Sequence, residues 1–288
     1  MKKVKLLPGI MLALLLIFST ACQDIHTSDQ QGHLVIQLTD APFPFDTIAA
    51  AMVNITKVEI RKVSEGDEDE NPYIALPVEA TDFNLLDLRN GITAELVDVE
   101  IEAGDYDLIR VYVENASLSI KEGETYSMKV PSGSQTGIKI FVEPALHVSG
   151  GITTDVLLDF NIEKSFVLKG NMFTPAGIKG FNFKPVIRAV NKTTAGSVEG
   201  LVTDTASVLL EEASVYIIQG EDTLTSASSV EGYYAMPGIP AGLYTLSSTK
   251  AGYDTVSFEG VEIVAGNLTV QDFTLTPLEE VEEEGEEE

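Results

Sequence analysis

The chain has 288 residues, a formal charge of −27, a single cysteine and no tryptophan. An acidic balance without any Lys/Arg stripe excludes a nucleic-acid binder, which must displace phosphate counterions with clustered cations. A single cysteine excludes an internal disulfide, so packed cores must hold the fold, and the modest aromatic content gives no hint of an aromatic sugar platform.

Lys2, Lys3 and Lys5 precede an apolar stretch from Ile10 to Phe18, and Ser19, Thr20 and Ala21 precede Cys22. Charge, apolar run and small residues in that order predict a signal peptide over 1–21. The apolar run is too short for a membrane helix, which needs about 20 residues. The string FSTAC resembles a bacterial lipobox, with Ser19 where leucine is usual. That resemblance implies lipidation of Cys22, which would also remove the liability of an unpaired thiol in an exported protein. Several acyl chains would anchor firmly, each buried methylene adding about 0.8 kcal/mol. The expected setting is the bacterial cell envelope, outer membrane in particular, with the lipid bilayer as first partner.

Residues 22–32 are polar and lack periodicity, which predicts a flexible tether. From His33 the pattern changes: Leu34, Ile36 and Leu38 alternate with His33, Val35 and Gln37, the period of a strand with one apolar face. Comparable runs recur at Val53–Ile60, Leu108–Val113, Ile138–Val142, Val156–Phe160 and Phe181–Val190, separated by turn-rich segments at Glu65–Pro72, Arg89–Gly91, Ala103–Asp105, Pro131–Gly133 and Gly150–Gly151. Phe83–Leu88 could hold a helical turn. Residues 191–197 read as a linker, and a second set of strands follows at Val198–Thr203, Val215–Gln219, Thr223–Ser228, Tyr233–Met236, Tyr244–Thr249 and Val270–Leu275. The expected class is all-β: two consecutive β-sandwich domains after a lipoprotein signal, one over 33–190 and one over 198–277, with an acidic tail at 278–288.

Six strings in order carry a resemblance across the first domain: LTDAP at Leu38–Pro42, LLDLRNG at Leu85–Gly91, AGDYDLIRVYV at Ala103–Val113, SGSQTGIKI at Ser132–Ile140, LLDFNIEKS at Leu157–Ser165 and KPVIRAV at Lys184–Val190. This part resembles domain of unknown function 4382 of exported bacterial lipoproteins, which implies an exported setting and no particular chemistry. GSVEGLVTD at Gly196–Asp204, EGYYAMPGIPAGLYTL at Glu231–Leu246 and KAGYDTVS at Lys250–Ser257 resemble a carboxypeptidase regulatory-like domain. That resemblance implies a transthyretin-like sandwich with a carbohydrate-binding-like fold, used as a stabilising or adhesive appendage.

Motifs for chemistry are missing from the sequence. His26, His33 and His147 sit in neither HxxE nor HExxH, the glycine-rich SGSQTG at Ser132–Gly137 offers neither GxSxG nor SxxK, and no GxxxxGK[ST] or GxGxxG string is present, so no cofactor is expected. Asp67, Glu68, Asp69, Glu70 and Asn71 alternate oxygen donors, but Pro72 and Val78 stand where a calcium loop needs glycine and glutamate. No metal centre is predicted. Asp40 and Asp159, in LTDAP and LLDFN, are the weak candidates, since a strand-end carboxylate can bind an ion or cap a turn. Asp-Thr-apolar triplets at Thr47, Thr205, Thr223 and Thr255 resemble the O-glycosylation motif of Bacteroidota; equally, threonine after a turn aspartate simply opens a strand. The acidic tail repels itself and stays solvated, with weak calcium binding the competing reading.

The expected function is therefore a non-enzymatic, lipid-anchored binding or scaffolding module, with glycans or an outer-membrane protein as partner. The alternative is a carboxylate-based enzyme such as a glycan hydrolase with its site on the first domain, because glycoside hydrolysis needs only a suitably separated Asp/Glu pair.

Overall fold

A computed structural model describes residues 30–41, 48–63, 72–130, 135–170 and 177–278. The signal segment, most of the tether with Cys22 and His26, Thr47, the acidic loop through Asn71, the turn at Pro131–Gly133 and the tail from Glu279 lie outside the described residues.

The first domain runs β1 (Gln31–Ala41), β2 (Ile48–Lys62), β3 (Tyr73–Leu76), β4 (Thr81–Asn84), a 3-10 turn (Leu85–Leu88), β5 (Ala94–Glu102), β6 (Gly104–Ile120) and β7 (Thr125–Lys129). It continues with β8 (Ile138–Val148), β9 (Thr153–Asn161), a helical turn α1 (Ile162–Ser165), β10 (Phe166–Gly170), β11 (Ile178–Phe183) and β12 (Ile187–Asn191). One sheet has the order β12-β9-β1-β5; the facing sheet is built on β3-β2-β6-β7, with β4 beside β2 and β8 beside β6, and β10 and β11 form a separate ribbon. Leu34, Ile36 and Leu38 of β1 and Val156, Leu158 and Phe160 of β9 are fully buried in the core between them.

The second domain runs β13 (Ala195–Asp204), β14 (Ser214–Gln219), β15 (Asp222–Ser228), β16 (Tyr233–Pro240), β17 (Gly242–Thr249), β18 (Val256–Ile263), β19 (Leu268–Val270) and β20 (Phe273–Leu275). Its sheets are β16-β13-β19, with β20 also on β13, and β15-β14-β17-β18, and they enclose a core that includes Val202, Ile217, Tyr234, Leu246 and Phe273. The chain is thus all-β, two sandwiches in succession.

Several elements differ from the sequence expectation. Strand β1 takes in Gln31 and Gly32, which pair with Glu102 and Ile101, because backbone pairing needs no apolar side chain. The expected strand Phe181–Val190 is two strands, parted where Pro185 has no amide to donate. Asn191 and Ala195–Ser197 are in strands, so the linker contracts to a turn closed by Thr194 N–H donating to Asn191 O at 3.1 Å. Val270–Leu275 divides into β19 and β20 at Gln271 and Asp272, and β18 was unforeseen because its residues alternate weakly and are mostly exposed.

Candidate binding cleft between the two domains

The outer face of the β12-β9-β1-β5 sheet carries the junction. Along β9, Val156, Leu158 and Phe160 face the core while Leu157 and Asp159 face the other way, yet both are buried, so this strand is covered on both sides. The near-continuous apolar run Val156–Phe160 is what double burial demands. Leu157 and Val190, at 0% and 7% exposure, belong to neither domain core and pack on Gly238 of the second domain. Burying a leucine there contributes about 1.5–3 kcal/mol.

Polar groups fix the orientation. Arg188 donates through one terminal nitrogen to Asp159 Oδ2 at 2.8 Å and through the other to Gly238 O at 3.0 Å, so one side chain holds a first-domain carboxylate and a second-domain carbonyl. Lys164 donates to Thr223 O and Asn90 Nδ2 to Tyr233 O, each at 3.4 Å.

Beside this junction opens a cleft of about 630 Å³, lined by Leu86, Asp87, Arg89, Asn90 and Ile92 of the first domain and Val230, Glu231 and Tyr233 of the second. The first-domain wall is the loop leaving the 3-10 turn. Arg89 Nε donates back to Leu86 O at 2.6 Å, and Asn90 and Gly91 adopt positive φ angles of 55° and 78° to turn the chain into β5. The second-domain wall is the Val230–Tyr233 hairpin, where Glu231 and Gly232 take positive φ and Tyr233 donates to Glu199 Oε2 at 2.8 Å. Burial and that carboxylate both push the Tyr233 hydroxyl pKa up. Ile92 and Val230 remain exposed at the rim, and Asn90 Oδ1 is buried without a partner among the described residues.

The structure sets Asp40 and Asp159 on neighbouring strands, near enough for their charges to interact but on opposite faces of the sheet. Parallel pairing of β1 with β9 sets Thr39 opposite Asp159 and Asp40 opposite Phe160. Asp40 is 6% exposed and Asp159 7%. Burial pushes the Asp40 carboxyl well above the ordinary carboxylate range and the charge of Asp159 adds to this, while the Ile162 amide and Arg89 offset only part. Among the described residues no group of three or more His, Cys, Asp or Glu side chains converges as a metal site. His33 pairs with Asp98 at 2.7 Å and His147 with Asp105 at 2.6 Å. Thr205 and Thr255 are exposed, whereas Thr223 is half-buried; Cys22 and Thr47 lie outside the described residues.

Sequence reading missed the cleft. Arg89 and Asn90 stood inside a recognised string, and Tyr233 inside another, but their meeting depends on how two domains pack, which no local pattern encodes. Arg188 was likewise hidden: a lone arginine in a strand gives no sign that it spans a domain junction.

Two all-β domains joined through such a junction fit a non-catalytic binding or scaffolding module. The chain belongs to the family described as Domain of unknown function (DUF4382), whose model matches residues 31–185, and its second part is a carboxypeptidase regulatory-like domain, matched over residues 197–276. No curated protein matches the chain. Among solved structures it is similar to the shaft pilin SpaA of Lactobacillus rhamnosus GG, at 12% identity over 86% of this chain and 98% of that one, with a TM-score of 0.26. The TIE protein of Bacillus anthracis is 12% identical over 86% of this chain, with a TM-score of 0.25, and this chain spans 34% of it. A type II cohesin–X-dockerin complex of Acetivibrio cellulolyticus is 22% identical over 29% of this chain and 55% of that one, with a TM-score of 0.22.

Proposed function

We propose that the protein is anchored to the bacterial outer membrane through lipid on Cys22 and binds a glycan in the cleft between its two domains. The observation that carries the binding reading is the make-up of the cleft. Leu86, Ile92 and Val230 and the half-exposed Tyr233 ring give apolar surface for the C–H face of a sugar. Asp87, Arg89, Asn90 and Glu231 give hydrogen-bonding groups around it. Largely apolar concavities with a few convergent polar groups, set at a domain interface, are where ligands of this size bind. An aromatic ring in such a place presents area at low entropic cost.

A glycan array probed with the full chain carrying Cys22→Ala tests this. Binding to one glycan class, weakened about tenfold or more by Tyr233→Ala, is expected. No binding to any glycan would overturn the sugar reading and turn the cleft toward a protein partner.

One observation favours a second reading. Asp87 and Glu231 face the same cleft, and glycoside hydrolysis requires two carboxyl groups at roughly 5–10 Å. The Asp40–Asp159 pair is too enclosed to admit a glycosidic bond, so hydrolysis would have to use the cleft pair. Shortened glycans recovered after incubation, lost in Asp87→Asn, would convert the binding module into a hydrolase.

A further inference from the structure

On the outer face of the first domain, where β4, β2, β6 and β7 lie side by side, is a hollow of about 170 Å³. Strand register lays Asp82, Asn54, Asn115 and Lys129 in one row across the four strands, and Met52, Ser117 and Ser127 in the next. Their sequence neighbours Val53, Ile55, Ala116 and Met128 belong to the core, so these side chains point outward. A bulge shapes the site. Asn54 pairs with Asn115 but Ile55 with Val113, which leaves Glu114 unpaired and bends β6 at Asn115.

A merely solvated sheet face is better served by threonine, valine or aromatic residues, since Asn and Asp are depleted in strands. Here they stand side by side with little to bond. Asn54 Nδ2 donates to Asp82 Oδ1 at 2.7 Å, which fixes the amide and leaves Asn54 Oδ1 to accept. Among the described residues the side chains of Asn115, Ser117 and Ser127 make no hydrogen bond, and the two carboxamides do not bond one another although they face across the ladder. Size and chemistry narrow the ligand. Pockets for drug-sized molecules run to about 300–1,000 Å³, so this hollow holds a single small ring. Its lining offers no aromatic ring to stack a base and no cation to hold an anion, and one carboxylate is too few for a metal. A carboxamide presents a donor beside an acceptor, the pattern that two adjacent hydroxyls match. Met52, half-buried between the rows, supplies an adaptable apolar surface.

We propose that this hollow binds one neutral sugar ring, with Asn54 and Asn115 hydrogen-bonding adjacent ring hydroxyls, Ser117 and Ser127 reaching a further one, and Met52 lying against the C–H face. Asp82 acts as a positioning residue that orients the Asn54 amide. The site shares no residue with the cleft between the domains and does not rest on the reading of that cleft.

The test titrates the full chain carrying Cys22→Ala, isotope-labelled for amide NMR, with glucose, galactose, mannose and N-acetylglucosamine in turn. Saturable shifts with at least one of these sugars, gathered at Asn54, Asn115, Ser117 and Ser127, are expected. Asn115→Val should weaken that binding about tenfold, the loss of one or two neutral hydrogen bonds. Valine suits an outward strand position, so this variant keeps the fold. Ser127→Val, on another strand, should weaken binding less, and Tyr233→Ala, in the cleft, should leave it unchanged. Shifts confined to Asn90 and Tyr233 would overturn the proposal and assign the sugar to the cleft. No saturable shift with any of the sugars would overturn it too, as would an affinity unchanged in both Asn115→Val and Ser127→Val.

Discussion

Leu157 of β9 and Gly238 of the second domain meet so closely that a β-carbon added to Gly238 would lie 2.9 Å from Leu157 Cδ2. Gly238 also has a φ of +70°, in the left-handed region that favours glycine. The contact therefore sets how near the second domain can come to the sheet of the first, and with it the width of the adjoining cleft.

Gly238→Ala should push the domains apart at a cost of about 1–3 kcal/mol. Calorimetry is the check: one transition in the wild type should become two, because the junction no longer couples the cores. A variant that melts as the wild type does would show that the junction absorbs a methyl group.

Arg188→Ala should destabilise the chain by about 2–4 kcal/mol, more than an exposed ion pair would account for. The substitution strands the nearly buried Asp159 carboxylate and releases Gly238 O together. Urea unfolding of the variant beside Asp159→Asn and the double variant would separate the two contributions. Additive losses would count against a shared network.

Glu59 should make stability fall at acid pH. Burial raises its pKa, but hydrogen bonds from Lys57 and Tyr112 and the charge of Arg110 outweigh this and leave it below its ordinary value of 4.5. A carboxyl with a depressed folded-state pKa contributes stability that is complete above its unfolded value and is lost as pH falls through the folded one. The stability difference between wild type and Glu59→Gln should therefore be widest at neutral pH and shrink below about pH 4.5. Denaturant midpoints measured across that range decide it; a constant difference would mean that packing, not charge, is what Glu59 supplies.

Cys22→Ala should yield a chain with no acyl mass that moves from the membrane to the soluble fraction. Intact-mass spectrometry of protein from native membranes compares the two, and the same spectra show whether the chain, with its four candidate threonines Thr47, Thr205, Thr223 and Thr255, carries any sugar mass. An unacylated, soluble wild type would end the anchoring proposal.

The sequence made the core strands legible wherever one face is buried and the other wet, as at Leu34, Ile36 and Leu38. It was least informative where pairing is made by backbone alone, as at Gln31 and Gly32, and where a strand lies half-exposed, as in β18. Asp40 and Asp159 were visible as candidates because both sit at strand ends in recognisable strings. Their burial against the second domain was not, since a carboxylate under a neighbouring domain reads locally like one in water. The residues that line the cleft were legible only as members of motifs, for the same reason.

Strand β1 lies hydrogen-bonded on both sides, antiparallel to β5 from Gln31 to Leu38 and parallel to β9 from His33 to Ala41. Any tension reaching the body from its N-terminal segment enters at Gln31 and runs along this strand. Both ladders are then strained together in shear, rather than unzipped one pair at a time. The fold receives a pull at its N-terminus through the middle of a sheet, where resistance is shared among many bonds.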